Sequence, residues 1–173
     1  YVVASAFCLG SCYLSAYINN RFWPLQFGVL LGSVGFITLL VQRSPAVGPG
    51  VAYMALFFIT SAGYIVQPMV VSWVMNNASG HYKRAFTSGT MIGLGNAGGL
   101  VSSNVFFQEE HHTIRLDTEI MALLILTGIA AVTFYIGLKR ENAKRDAGER
   151  DDRLQLPDAD NLGDDHPSFR FSF

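Results

Sequence analysis

Residues 63–108, GYIVQPMVVSWVMNNASGHYKRAFTSGTMIGLGNAGGLVSSNVFFQ, form two long uncharged stretches on either side of a short basic turn. Lys83 and Arg84, within the turn, are the only Asp, Glu, Lys or Arg residues in this segment. A helix of about 20 mostly apolar residues is long enough to cross about 30 Å of hydrocarbon. The segment therefore predicts two membrane-spanning helices joined by a tight turn.

Charge is distributed very unevenly along the rest of the chain. Of the 25 Asp, Glu, Lys and Arg residues, 16 lie from Lys139 onward, and no acidic residue precedes Glu109. A soluble domain needs charged residues over its whole surface, so this segregation indicates a membrane protein with a soluble tail. The composition disfavours a disordered or disulfide-rich chain, and neither part is basic enough to indicate nucleic-acid binding.

Five uncharged runs are long enough to be membrane spans. The run at 44–80 is too long for one span, and the prolines and glycines of SPAVGPG at its start read as a turn. We therefore predict an all-α membrane protein with a helical bundle at 1–138 and a tail at 139–173. The predicted spans are 1–18, 23–41, 50–75, 86–108 and 120–138.

The positions of Lys and Arg predict the orientation of these spans. One side of the membrane receives Arg21, Lys83, Arg84 and the tail, whereas the other receives only Arg43 and Arg115. By the positive-inside rule, we place the tail, the 19–22 turn and the 76–84 loop in the cytoplasm. The sequon that starts at Asn77 is then not glycosylated.

Three polar side chains inside the predicted spans are candidate substrate-binding residues. Asn96 lies near the middle of the fourth span, and Tyr64 and Gln67 lie in the third span beside Pro68. Proline removes a backbone hydrogen bond, so we expect a kink there, and kinked helices often border transporter cavities. Each amide has two possible roles: a hydrogen bond between helices, or a polar group that lines a cavity.

The fourth span is rich in glycine. Gly89, Gly93 and Ala97 follow one another at i,i+4 spacing, as do Gly95 and Gly99. Such small residues allow two membrane helices to approach closely. We expect a helix–helix contact along this face, on a helix that bends easily.

From the sequence we expect no cofactor site and no metal site, and we do not expect the protein to be an enzyme. Residues 93–98 match G-x-G-x-x-G, but a dinucleotide site requires a preceding strand, and these residues lie within a span. Glu109, Glu110, His111 and His112 are adjacent, so they read as a solvated outer loop rather than one metal site. No nucleophile–base pair is apparent.

Residues 63–110 resemble spans of fungal major facilitator transporters, most closely those of the anion:cation symporter family, which includes allantoate, nicotinate and pantothenate permeases. The resemblance rests on W-x-x-N-N-x-x-G-x-x-K-R-A from Trp73 to Ala85, on G-N-x-G-G from Gly95 to Gly99, and on the ending LGDDHPSFRFSF.

The resemblance implies that the five spans are the eighth to twelfth of twelve, which would form most of the C-terminal six-helix half. It implies a plasma-membrane carrier that moves a small organic anion or vitamin, often with protons, and has Gln67, Asn96 and Tyr64 at its cavity. Arg21, Asn77, Lys83 and Arg84 would then belong to gating or cytoplasmic loops. The family's Asp-Arg gating pair reads Asn20-Arg21 here, so its acidic member is absent.

Because the chain begins with Tyr1 inside an apolar run, we expect a fragment of such a carrier or a gene model lacking its start. The alternative is a truncated relative that does not transport, or a regulatory membrane protein.

The tail is expected to begin as a continuation of the last helix. Residues 141–153 have helical composition with alternating charge signs, and the chain is expected to be irregular from Pro157 onward. Lys139, Arg140, Lys144 and Arg145 are expected to meet anionic lipid headgroups.

Overall fold

The computed structural model describes residues 1–42, 49–105, 112–152 and 163–173. It is built from helices, with no strand in those residues. The five long helices are α1 (Val2–Ile18), α2 (Phe22–Gln42), α3 (Pro49–Asn77), α4 (His81–Val105) and α5 (His112–Asp146), and a 3-10 turn follows at Gly163–Asp165.

Short polar turns join α1 to α2 and α3 to α4, where the sequence breaks its apolar runs. Asn19 ends α1 in the left-handed conformation, which asparagine tolerates, and the Asn20 side-chain oxygen accepts a hydrogen bond from the backbone N–H of Phe22. Between α3 and α4, Gly80 has a φ of 89°, which only glycine adopts readily. These two turns connect α1 tightly to α2, and α3 tightly to α4.

The hydrophobic core lies where α2 packs against α3 and α5. Its buried residues are Leu25 and Val29 of α2, Ile65, Met69 and Trp73 of α3, and Ala131 and Leu138 of α5. The α3 residues recur at i,i+4 spacing, so they form one stripe along that helix. This stripe fixes which face of α3 is turned inward and which is left outside.

Three glycines of α2 allow its close approach to neighbouring helices. A Cβ on Gly28 would lie 3.0 Å from a side-chain carbon of Ile65, and one on Gly32 would lie 2.9 Å from the Ala62 Cβ. A Cβ on Gly35 would lie 3.1 Å from the backbone oxygen of Ala55. This is the small-residue packing of membrane helices.

The expectation of close packing along the glycines of α4 is not met within the described part of the chain. No atom lies within 4 Å of a Cβ built on Gly89, Gly93, Gly95 or Gly99. The residues of α4 from Ile92 to Gly99 are exposed. Spacing alone marks a face that permits close packing, but which helix takes that role depends on the partner available.

Three of the described helical stretches are long and apolar enough to cross a membrane: Phe22–Val41, Gly50–Asn77 and Asp117–Asp146. The apolar helix α1 has only 17 residues, and α4 is not among the three. The five helices coincide in order with the five predicted spans, but their length and composition support a membrane crossing for only these three.

The last helix continues beyond its predicted span, as the tail composition indicated, and ends at Asp146. The helix α3 runs through Pro68, where the predicted kink remains a prediction. Residues 43–48 and 106–111 lie outside the described residues. They include part of each predicted outer loop, with Glu109, Glu110 and His111, and the last three residues of the predicted fourth span.

Candidate functional site

Tyr64 and Gln67 lie on the face of α3 that the core does not use. Both side chains are exposed, whereas Ile65 and Met69 on the opposite face are buried. The Tyr64 ring meets the Tyr1 ring edge-on, with 6.5 Å between the ring centroids. The amide of Gln67 therefore projects away from the described bundle, one helical turn from the Tyr64 hydroxyl.

Asn96 is exposed near the middle of α4. Within the described residues, no hydrogen bond joins it to Tyr64 or Gln67. The structure therefore brings Tyr64 and Gln67 onto one face but leaves Asn96 on a separate helix. In hydrocarbon an unpaired amide is costly, so both amides need water, a ligand or another protein segment beside them.

An open groove of about 560 Å³ lies between α1 and α2. Its lining is mostly apolar and includes Phe7, Leu14, Trp23 and Phe27. The three predicted site residues are not part of it. A groove of this kind suits an acyl chain or an apolar side chain better than a charged solute.

Arg21 links the α1–α2 turn to the end of α3. Its Nε donates a hydrogen bond to Ser72 Oγ at 3.0 Å. When the Asn76 amide is turned so that its oxygen faces the guanidinium, that oxygen accepts a hydrogen bond from Arg21 Nη1 at 2.9 Å. Arg21 thus binds neutral oxygens of Ser72 and Asn76 here.

Lys83 and Arg84 lie in the first turn of α4 rather than in a free loop. Lys83 Nζ lies 2.6 Å from Asp164 Oδ1 and 3.6 Å from Asp165 Oδ2. Arg84 Nη2 donates to the backbone oxygen of Ala78 at 3.2 Å. The hydrogen bond to Asp164 raises the pKa of Lys83 above its usual value, although burial acts in the opposite direction.

Residues 163–173, called the strap below, cross the end of the bundle at which α3 ends and α4 begins. Apart from its 3-10 turn the strap has no regular secondary structure, as expected from the sequence. The sequence did not predict that the strap packs on the bundle, where its backbone forms hydrogen bonds with α3, with α5 and with the α1–α2 turn. The backbone N–H of Arg21 donates to the backbone oxygen of Phe173 at 2.7 Å. The three basic segments predicted to share one side of the membrane therefore lie at one end of the bundle.

Asn77 is the last residue of α3 and is buried, with 7% of its surface exposed. Its Nδ2 donates to the backbone oxygens of Trp73 and Ser172, each at 3.0 Å, and its Oδ1 accepts from the Ser172 N–H at 2.8 Å. Asn77 was predicted as a loop residue, but its amide is fully engaged in holding the strap.

Two further residues at this end are buried. Trp73 is 2% exposed, and its indole Nε1 donates to the Ser172 oxygen at 2.9 Å. Arg145 was expected at the lipid surface, but it is 5% exposed. Its Nη1 donates to the backbone oxygens of His166 and Phe169, and its guanidinium lies 4.5 Å from the centre of the Phe171 ring.

Asn142 of α5 was not singled out from the sequence. Its Oδ1 accepts from the Phe171 N–H and its Nδ2 donates to the Phe171 oxygen, both at 3.0 Å. The only sequence signal was an asparagine among charged residues at the start of the tail, and such a residue reads as solvated. Only the fold brings it beside the strap.

The sequence is similar to fungal transporters, although no family model and no solved structure matches it. It is 29% identical over 178 residues to the MFS-type transporter cnsO of Penicillium expansum, covering 99% of this chain and 34% of that protein. It is 31% identical over 140 residues to an uncharacterized transporter of Schizosaccharomyces pombe, covering 80% of this chain and 27% of that one. It is also 27% identical over 131 residues to hxnP, a major facilitator-type transporter of Emericella nidulans. This alignment covers 74% of this chain and 26% of that protein.

The chain thus spans about a third or less of the length of these relatives. The relatives are transporters and not enzymes, and three described helical stretches are able to cross a membrane. Together these findings support an integral membrane protein related to fungal transporters of the major facilitator type.

Proposed function

We propose that this chain is part of a carrier that moves a small organic anion or vitamin-like carboxylate across a membrane by alternating access. The observation that carries this proposal is the pair of uncharged amides, Gln67 and Asn96, on exposed faces of two helices. In a carrier that is longer than this chain, as its relatives are, these faces would border a shared cavity.

The chemistry of these groups suits an anion. An ionised carboxylate only accepts hydrogen bonds, and the amides of Gln67 and Asn96 and the hydroxyl of Tyr64 all donate them. The candidate residues carry no charge, so no side-chain charge has to be desolvated on binding, and their hydrogen bonds alone offset the desolvation of the carboxylate. Allantoate, nicotinate and pantothenate are the substrates that the family resemblance suggests.

The remaining features fit a plasma-membrane carrier with a cytoplasmic C-terminus. The basic residues Arg21, Lys83 and Arg84 lie at the strap end of the bundle, where the positive-inside rule places the cytoplasm. There they tie turns and helix ends together, a position suited to a gate. The five predicted spans contain no Asp, Glu, Lys, Arg or His, so proton coupling through such a residue would require one outside these spans.

Uptake by a chimera tests the proposal. The chain would replace the aligned segment of the Penicillium expansum relative, and uptake of radiolabelled allantoate, nicotinate and pantothenate would be measured in a yeast strain that lacks its own carriers for them. We expect saturable uptake of at least one substrate by the chimera and none by the 173-residue chain alone.

Gln67→Ala and Asn96→Ala in the chimera are each expected to lower uptake about tenfold, since one lost hydrogen bond to a charged group costs about 1.5 kcal/mol or more. Thr133→Ala is the matched control, because its hydroxyl bonds only within α5, to the Ile129 oxygen. Saturable uptake by the chain alone, or an expressed chimera that is inactive toward all three substrates, would contradict the proposal and favour a membrane protein that does not transport.

A further inference from the structure

Two asparagines on different helices hold the strap in the same way. Asn142 of α5 bonds to both the N–H and the carbonyl oxygen of Phe171, and Asn77 of α3 bonds to both groups of Ser172. In an extended chain, the N–H and carbonyl of one residue point to one side and those of the next residue to the other. The strap therefore passes between α3 and α5, with one asparagine on each side.

The two asparagines contact the backbone of the strap rather than its side chains. A side-chain amide presents one donor and one acceptor side by side, which matches the N–H and carbonyl of a single extended residue. Trp73 adds a second donor to the Ser172 oxygen, and the backbone of Arg21 adds a donor to the Phe173 oxygen. The backbone groups that would pair with a neighbouring strand in a sheet are paired with side chains here.

Aromatic side chains of the strap add further contacts. The Phe171 ring lies under the Arg145 guanidinium, and its centroid is 5.2 Å from that of the Phe169 ring. The centroids of the Phe173 and Tyr135 rings are also 5.2 Å apart. Arg145 is 5% exposed although it carries a charge. The strap supplies two of its hydrogen-bond acceptors, and Glu141 of the same helix supplies a third.

We propose that Asn77 and Asn142 form a two-sided clamp for an extended peptide backbone, and that the strap, held as its ligand, couples the end of α3 to the end of α5. The two asparagines act as one unit, because the strap cannot leave one and stay ordered on the other. When the ends of α3 and α5 change their separation, the strap is released from both asparagines together. This inference does not depend on which solute the protein carries.

Residue-resolved amide exchange of the full 173-residue chain in detergent micelles tests the coupling. The Phe171 and Ser172 amides are expected to exchange slowly, because each donates to an asparagine oxygen. Asn142→Ala removes two hydrogen bonds on the α5 side only. Two such bonds correspond to about a 30-fold rise in the ratio of detached to docked strap. We expect both amides to exchange about 30-fold faster, including that of Ser172, whose own partner Asn77 is intact.

Lys144→Ala is the matched control, because this exposed residue lies in the same last turn of α5. It is expected to leave both exchange rates unchanged. The core amides of Val29 and Ile65 report on general unfolding. If they also accelerate in Asn142→Ala, the smaller change Asn142→Ser is used, and the same comparison decides.

Faster exchange at Phe171 alone, with Ser172 unchanged, would overturn the proposal, because the two asparagines would then hold the strap independently. Rapid exchange of both amides in the unmodified chain would overturn it as well. The reciprocal variant Asn77→Ala is expected to accelerate Phe171 exchange, although Asn142 remains.

Discussion

Gly35 has no space beside it for a methyl group. A Cβ there would lie 2.8 Å from Ile59 Cγ1, 3.1 Å from the Ala55 backbone oxygen and 3.2 Å from the Ile59 backbone nitrogen. Two of these three atoms belong to the backbone of α3, so they cannot move without shifting that helix. The absence of a side chain at this residue therefore sets the distance between α2 and α3.

We predict that Gly35→Ala lowers the free energy of unfolding by about 1 to 3 kcal/mol, the usual cost of overpacking. Gly63→Ala is the control, because a Cβ on Gly63 meets no atom within 4 Å. It is expected to be neutral or slightly stabilising, since alanine favours helix over glycine. Denaturant titration of both variants in the same detergent measures the difference, and equal destabilisation by the two would contradict this packing.

The sequence predicted the environment of some single residues but not of others. Gln67 and Asn96 stood out because an amide is unusual in an apolar span, and both lie on faces that the described core leaves free. From local context, Asn77 is expected in a loop and Arg145 at the lipid surface, but both are buried beside the strap. Their partners are up to about 100 positions away in the sequence, so no local pattern announced them.

At the scale of elements, the strap connects segments that are distant in sequence. The Lys83–Asp164 pair ties the strap's 3-10 turn to the first turn of α4. The Lys83 side chain is 53% exposed, so this pair is screened by water and contributes modestly on its own. The pair holds the first residues of the strap beside α4, while Asn77 and Asn142 hold its last residues.

This pair makes strap docking sensitive to alkaline pH. Because docking raises the pKa of Lys83, the pair's contribution is complete below the ordinary lysine pKa of 10.5 and is lost as the pH rises through the raised value. We predict that docking is constant from neutral pH up to that range and then weakens. Iodide quenching of Trp73, made the sole tryptophan by Trp23→Phe, reports the release.

Lys83→Met is the control for this titration, since it removes the titrating group and keeps a long apolar stem. In that variant, quenching of Trp73 is expected to lose the alkaline step attributed to Lys83. An identical step in both proteins would show that another group controls docking at high pH.

The order of the helices could be predicted from the sequence by simple rules. Apolar run length placed all five helices in order, and Gly80 and the Asn19–Asn20 pair account for two of the turns. Which helices pack against each other could not be predicted from the sequence. Small-residue spacing pointed to α4, but the close approach is made by α2, because Gly28, Gly32 and Gly35 face the side chains and backbone of α3.

At the scale of the whole molecule, the described bundle leaves large apolar surfaces uncovered. Exposed residues include Leu9 and Tyr13 of α1, Leu30 of α2, and Leu123 and Leu126 of α5. Water does not tolerate so much contiguous apolar surface, whereas lipid and neighbouring transmembrane helices do. The same composition that set charged residues apart from apolar runs in the sequence therefore sets a polar end apart from an apolar belt in the fold.

Alkaline carbonate extraction of membranes from cells that express the chain tests this account most directly. Carbonate strips proteins held by surface charge but leaves those whose helices lie in hydrocarbon. We predict that the chain stays in the membrane pellet and is released only by detergent. Release of the folded chain into the carbonate supernatant would contradict an integral membrane protein, and the proposed carrier function would fail with it.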